Sequence, residues 1–189
     1  VGWYIDEYNQ AQVSMNLTNY KITSIHKAFE EVSMAARKRG LRVTGSEIVG
    51  LVPKDAMLDA GNFFLNKQNS IDTLPERDII DCAIISLGLN DISKFNSNKS
   101  IIENALAGKN NLFNQSLKDF IDELSRKSPA PGGGSVSALA GALSAALTSM
   151  VINLSIFKNK DKYGNKAQKL KDQFIQLIQE DASSFDSVM

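Results

Sequence analysis

The chain is poor in the residues that build the commonest catalytic and metal centres. Among 189 residues it holds one cysteine, Cys82, and one histidine, His26. A single cysteine excludes an internal disulfide and a cysteine-based metal site. Cys82 lies among apolar neighbours and reads as a buried, inert thiol. His26 falls on a helical stretch beside Lys27, next to an apolar stripe, and reads as a surface or half-buried histidine. The first half shows no Ser-His-Asp set, no metal cluster and no paired-carboxylate signature. An excess of either charge is also lacking: Lys plus Arg is 21 and Asp plus Glu is 21. Split near Gly108, the first part has 11 basic and 13 acidic residues and the second 10 and 8. No such field steers a chain toward nucleic acid. No signal-peptide pattern opens the sequence, which makes the cytoplasm the expected compartment. Val1 falls inside what reads as a helix and Met189 inside another, so a fragment truncated at both ends is expected.

What is present is ordinary globular composition, 43% hydrophobic and 22% charged. Trp3, Tyr4 and Tyr8 read as the tail of a helix broken at Asn9. Ala11 to Leu17 alternates apolar and polar residues, a strand with one buried face. Thr23 or Ser24 caps a helix carrying Ile25, Ala28, Phe29, Val32 and Ala36 at helical steps, ended by Gly40. Leu41 to Leu51 reads as one or two strands around Gly45, closed by Pro53. Lys54 to Leu65 is helical. Thr73-Leu74-Pro75-Glu76 reads as a capping box that opens a helix running to Leu87 and stopped by Gly88. Strands alternating with helices predict an α/β or α+β subdomain with a small sheet over residues 1–108. Two polar groupings lie at predicted strand ends: Asn16, Thr18 and Asn19 after the first strand, and Thr44, Ser46 and Glu47 around Gly45. Sites are often built there, and turn chemistry explains the same residues equally well.

Residues 109–115 read as a linker within a polar stretch that contains one short helix at Ile101 to Leu106. An all-α helical-bundle domain is predicted over 116–189. Ser116 caps an amphipathic helix with Leu117, Phe120, Ile121 and Leu124. Ser128-Pro129-Ala130-Pro131-Gly132-Gly133-Gly134-Ser135 then breaks the chain, with Ser135 in N-cap position. Beyond it Val136, Leu139, Leu143, Leu147, Met150, Leu154 and Phe157 form a bulky helical face, and Ala138, Ala142, Ala145 and Ser149 a small one. Both faces are expected to be buried in a bundle. The run has the length of a membrane span. Ser137, Ser144, Thr148, Ser149 and Asn153 dilute it and no aromatic belt flanks it, so no span is expected. The glycine triplet is either a structural loop or a cradle whose N–H groups hold an anion or flat polar ligand. It is neither a dinucleotide nor a Walker signature.

Lys158, Lys160, Lys162, Lys166, Lys169 and Lys171 face only Asp161 in their span. They read as a solvated turn or as a landing patch for an anionic substrate tail. The last helix carries an apolar stripe of Leu170, Phe174, Leu177, Phe185 and Val188, with Asp181 where a further apolar member belongs. A carboxylate facing a bundle interior without a partner is costly, and such groups are candidates for proton transfer. A rotated or lysine-paired Asp is the alternative.

Several stretches together resemble a known family. Gly2-Trp3-Tyr4-Ile5, Ala11 to Thr18, Val43 to Pro53 and Ser86-Leu87-Gly88-Leu89 are similar to the C-terminal subdomain of glutamate formimidoyltransferase. Phe120 to Glu123, Ser128 to Val136, and Glu180-Asp181 with Phe185 resemble the start of formimidoyltetrahydrofolate cyclodeaminase. The two halves follow one another as in the bifunctional enzymes. The resemblance implies transfer of a formimidoyl group from N-formimidoyl-L-glutamate to tetrahydrofolate, within histidine degradation. Closure to 5,10-methenyltetrahydrofolate with release of ammonia would follow. It implies tetrahydrofolate as substrate and carrier, no metal, and homo-oligomers. The polyglutamate tail of the folate would suit the lysines. By the same resemblance Asp181 is the catalytic residue of the deaminase, and Gly132, Gly133, Gly134, Ser135, Asn16, Thr18, Ser46 and Glu47 are the expected folate-binding positions. The transferase histidine belongs to a preceding subdomain, and His26 does not replace it. The segment alone is therefore expected to lack transfer and to have little or no deaminase activity. A methenyltetrahydrofolate cyclohydrolase and a non-catalytic helical assembly module are the rival readings.

Overall fold

A computed structural model of the chain describes residues 1–69, 73–106, 116–156 and 158–188, with Tyr8, Asp186 and Val188 described by backbone alone. The chain divides into two compact units. One comprises Val1–Ser70 and Glu76–Leu106, the other Ile71–Pro75 and Ala107–Met189.

The first unit opens with a hairpin, not a helix tail. Strand β1 (Gly2–Ile5) pairs antiparallel with β2 (Gln10–Val13), Gly2 opposite Val13 and Ile5 opposite Gln10. Trp and Tyr favour a pleated strand. Asn9, at φ 51, supplies the left-handed residue that turns the chain, and its side chain accepts the Tyr4 hydroxyl. The second strand stops at Val13, short of the expected Leu17. Helix α1 (Ile25–Arg37) follows Ser24, and Gly40 lies beyond its end at φ 73.

Helices α2 (Lys54–Lys67) and α3 (Glu76–Ser86) make the core. Met57, Ala60 and Phe64 from α2 meet Ile80, Ala83 and Ile84 from α3, with Leu87, Leu89 and Ile101 filling one end. Gly61 allows the two helices to approach: a Cβ there would lie 2.6 Å from Ile79 Cγ2. Short helices α4 (Ser97–Ser100) and α5 (Ile102–Leu106) flank Ile101, which forms a parallel bridge with Val52. The bridge lies one residue beyond the expected strands at Leu41–Leu51, which acquire no strand pairing among the described residues. A strand needs a neighbouring ladder, and here Ser46 N–H instead donates to the Gly88 carbonyl at 3.3 Å.

In the second unit Ser116 caps α6 (Leu117–Leu124), its Oγ accepting from Asp119 N–H at 3.1 Å. Helices α7 (Gly133–Leu154) and α8 (Lys160–Val188) form an antiparallel hairpin, Ser135 meeting Ile178 and Ser149 meeting Gln168. The seam is the small face of α7: Ser135, Ala138, Ala142, Ala145, Ser149 and Ile152 are buried. The bulky face, expected to be buried as well, is exposed within this chain, with Leu147 at 59% and Leu154 at 78%. Small side chains let two helix backbones close together, whereas leucines hold them apart. Phe157 lies outside the described residues. By length and composition α7 also passes as a membrane span, with a mean hydropathy of 1.7. Its small face is nonetheless spent on α8.

On α8 the contact face is Gly164, Ala167, Ile178 and Ala182. Of the predicted stripe, Leu170, Leu177 and Phe185 are exposed, since one residue's offset rotates a helix face by about 100°, while Phe174 is half-buried against Gly141. The Val188 side chain lies outside the described residues. Thr73 belongs to this unit and is buried. Its hydroxyl donates to Asn153 Oδ1 at 3.0 Å, and Asn153 Nδ2 donates to the Thr73 carbonyl at 3.1 Å. The expected capping box is therefore not formed: α3 starts at Glu76 behind Pro75, and the Thr73 hydroxyl is engaged elsewhere.

Candidate active site

The glycine run opens α7 earlier than the spacing suggested. Gly132 is the N-cap at φ −130, and the helix begins at Gly133, so Ser135 is its third residue and not the cap. Placed there, its side chain turns into the hairpin and is wholly buried. Its hydroxyl is shared between the Ile178 carbonyl at 3.2 Å and Asp181 Oδ2 at 2.9 Å. The backbone N–H of Ser135 donates to the same Oδ2 at 2.8 Å.

An N–H in the first turn of a helix has no carbonyl partner within the helix and favours a negative charge. Asp181 supplies that charge from 46 positions further on. The glycine run reads from sequence as either a structural loop or a cradle for an outside anion or flat polar ligand; for Ser135 N–H the carboxylate is internal. Asp181 is also not a deeply buried, unpartnered group. The residue is exposed at the rim of the hairpin, turned toward the glycine turn, with its carboxylate against α7. A carboxylate at a helix start, hydrogen-bonded through one oxygen and near solvent, is equipped to receive and return a proton.

Of the other expected folate positions, Gly132 is half-buried, while Gly133 and Gly134 are exposed beside Ser135. Asn16 and Thr18 are exposed, after β2. Ser46 is half-buried and its hydroxyl donates to the Leu87 carbonyl at 2.7 Å, while Glu47 is exposed. Among the described residues no hydrogen bond joins Asn16 or Thr18 to Ser46 or Glu47. What does gather here is Gly45 against Gly88, whose φ of 62 ends α3: a Cβ on Gly45 would lie 2.8 Å from the Gly88 carbonyl oxygen.

The lysines divide. Lys160 Nζ donates to the Asn153 carbonyl at 3.0 Å, and Lys171 Nζ to Gln168 Oε1 at 2.9 Å, whose Nε2 donates to Ser149. Lys158, Lys162, Lys166 and Lys169 are exposed. His26 is buried, contrary to expectation, because its ring stacks on Phe63 with centroids 4.5 Å apart. Burial pushes its imidazole below the ordinary histidine range. No group of three metal-ligating side chains occurs among the described residues.

These features define a chain of two kinds: a small-sheet α+β unit, then a helical hairpin with a carboxylate seated on a glycine-opened helix. Residues 1–107 match the family model described as "Formiminotransferase domain", and residues 116–189 the model described as "Formiminotransferase-cyclodeaminase". The chain belongs to the formiminotransferase domain family. A formimidoyltransferase-cyclodeaminase of Dictyostelium discoideum is 43% identical over 164 residues, 85% of this chain and 30% of that protein. The Gallus gallus formimidoyltransferase-cyclodeaminase is 37% identical over 200 aligned positions, 100% of this chain and 37% of that protein. A methenyltetrahydrofolate cyclohydrolase of Methylorubrum extorquens is 37% identical over 84 residues, 40% of each chain. The chain thus spans 30% and 37% of the two bifunctional relatives.

Proposed function

We propose that this chain is the junction of a bifunctional folate enzyme of histidine degradation. The enzyme transfers formimidoyl from N-formimidoyl-L-glutamate to tetrahydrofolate and then cyclises the product to 5,10-methenyltetrahydrofolate with loss of ammonia. It works in the cytoplasm as a homo-oligomer, uses no metal, and is both a transferase and a lyase. The reading is supported by the order of the two family matches and, above all, by the Asp181 carboxylate held on Ser135 N–H and Oγ.

Cyclisation joins N10 of the folate to the formimidoyl carbon and breaks that carbon's bond to the imino nitrogen. N10 loses a proton; the imino nitrogen carries one hydrogen and must gain two to leave as ammonia, one relayed from N10 and one from solvent, while the methenyl product keeps a positive charge. Asp181 takes the first proton and returns it to the leaving nitrogen, one group serving both halves of the step. Gly133 is open, with nothing within 4 Å of a Cβ placed there, so between Gly132 and Gly134 a flat ring can approach the backbone. The exposed Lys158, Lys162, Lys166 and Lys169 offer charge to a polyglutamate tail. Asn16, Thr18, Ser46 and Glu47 serve the transfer half.

The test is Asp181→Asn in the full-length enzyme. General acid–base catalysis contributes roughly 10²–10⁴-fold, so deamination should fall by that order while formimidoyl transfer is spared. Normal deamination would instead favour a purely structural hairpin. Likeness to the cyclohydrolase covers 40% of this chain, and the transferase-like first unit weighs against that alternative.

A further inference from the structure

We propose that Gly134 and Ser135 are positioning residues that divide the labour of the Asp181 carboxylate, Oδ2 being held and Oδ1 presented. This rests on the reading of Asp181 as the proton carrier. Both described hydrogen bonds to the carboxylate fall on Oδ2, from Ser135 N–H at 2.8 Å and Ser135 Oγ at 2.9 Å. Two donors from one residue, converging on one oxygen, fix how far the carboxylate can turn. The hydroxyl is itself held, since Ser135 is wholly buried and also reaches the Ile178 carbonyl. The anchor for Oδ2 thus belongs to the α7–α8 seam and not to a loop.

Gly134 sets the place of the other oxygen. A Cβ there would lie 2.5 Å from Asp181 Cγ and 2.8 Å from Oδ2, with Oδ1 nearer still. The carboxylate therefore rests directly on the bare Cα. Gly134 is not in the left-handed region that favours glycine, so its backbone shape admits any residue. Space, not conformation, is what calls for glycine here. Next to it, a Cβ on Gly133 would meet nothing within 4 Å. The demand is specific to one member of the triplet. A side chain at 134 displaces the carboxylate from Ser135 and carries Oδ1 away from the mouth of the turn.

The experiment uses the full-length enzyme and the variants Gly134→Ala, Ser135→Ala and Asp181→Asn. It measures kcat and KM of deamination, transfer activity and melting temperature. Misplacing a reacting group by about 1 Å costs on the order of 10²-fold, so Gly134→Ala should lose kcat by that order with KM little changed. Its melting temperature should hold, because alanine favours a helix over glycine. Ser135→Ala keeps the N–H donor and loses the hydroxyl. A hydrogen bond to a charged group corresponds to on the order of ten-fold. Ser135→Ala should therefore lose kcat by about that factor with KM little changed. Transfer activity should be unchanged in all three.

A merely structural role would lower melting temperature and leave the kcat of the folded enzyme in place. If Asp181→Asn is inactive in deamination while Gly134→Ala and Ser135→Ala keep kcat, the positioning proposal falls and the proton-carrier reading stands. If Asp181→Asn deaminates normally, both fall.

Discussion

The ring of Phe174 lies on the bare Cα of Gly141: a Cβ there would come 2.8 Å from Phe174 Cδ1. The α7–α8 seam is thus made by side chains that are missing. Enlarging them should separate the helices. Gly141→Ala and Ala142→Leu are each expected to cost about 1–3 kcal/mol, the usual range for overpacking. Leu147→Ala, on the exposed face, should change stability by less than about 0.5 kcal/mol. Urea unfolding of the isolated chain measures all three, and a larger loss for Leu147→Ala would reverse the assignment of the two faces.

Met57 is fully buried between α2 and α3. Met57→Ala should destabilise the first unit by about 2–5 kcal/mol, combining lost transfer energy with the cavity left behind. Phe64→Ala, in the same cluster, is expected at about 3–5 kcal/mol. Denaturant midpoints of the two variants provide the check.

His26 gives the first unit a pH dependence with a definite sign. Its ring is buried, Nε2 lies 3.0 Å from Ser24 Oγ, and buried Nδ1 has no hydrogen-bond partner among the described residues. A second ring proton would meet no acceptor there. Asp59 and Glu30 favour the charged form, Lys27 opposes it, and desolvation outweighs them. Lys67, paired with Glu30, stands over the far ring, Phe63. The folded value therefore lies below the unfolded one, and the unfolded chain binds the extra proton first. The contribution is fully present above the ordinary value of 6.5 and is lost as pH falls through the lower folded value. His26→Phe keeps a ring against Phe63, so its melting temperature should depend less on pH between about 7 and about 5 than that of the parent.

Gly45 and Gly88 meet so closely that a Cβ on Gly45 would also lie 2.9 Å from Asp91 Cβ. Gly45→Ala should push Ser46 away from the Gly88 and Leu87 carbonyls and cost about 1–3 kcal/mol. In the full-length enzyme, formimidoyl transfer should fall while deamination persists, which paired assays would read.

The helices were legible because their signals are local. Ser116 caps α6, Pro53 precedes α2 and Gly88 stops α3, each within a turn of the residues it governs. The first hairpin was misread because Trp3, Tyr4 and Tyr8 fit a helical period and the deciding residue is Asn9 in its left-handed turn. The expected strands at Leu41–Leu51 failed for want of a ladder, which no local pattern reports. Asp181 stood out as a break in an apolar stripe whose Leu170, Leu177 and Phe185 proved exposed and whose Phe174 sits on the α7–α8 seam. Its hold on Ser135 and the demand for glycine at 134 were illegible, because both depend on a contact across 46 positions that neither segment announces alone.

Thr73 exchanges hydrogen bonds with Asn153 and rests over Gly164, where a Cβ would lie 2.5 Å from its hydroxyl oxygen, while the helix that begins three residues later builds the other unit. The covalent path and the packing boundary therefore disagree. A polypeptide starting at Leu117 would carry the hairpin but leave Asn153 and Gln168 facing a groove from which one segment has been stripped, whereas adding a peptide spanning residues 71–75 in trans would refill it.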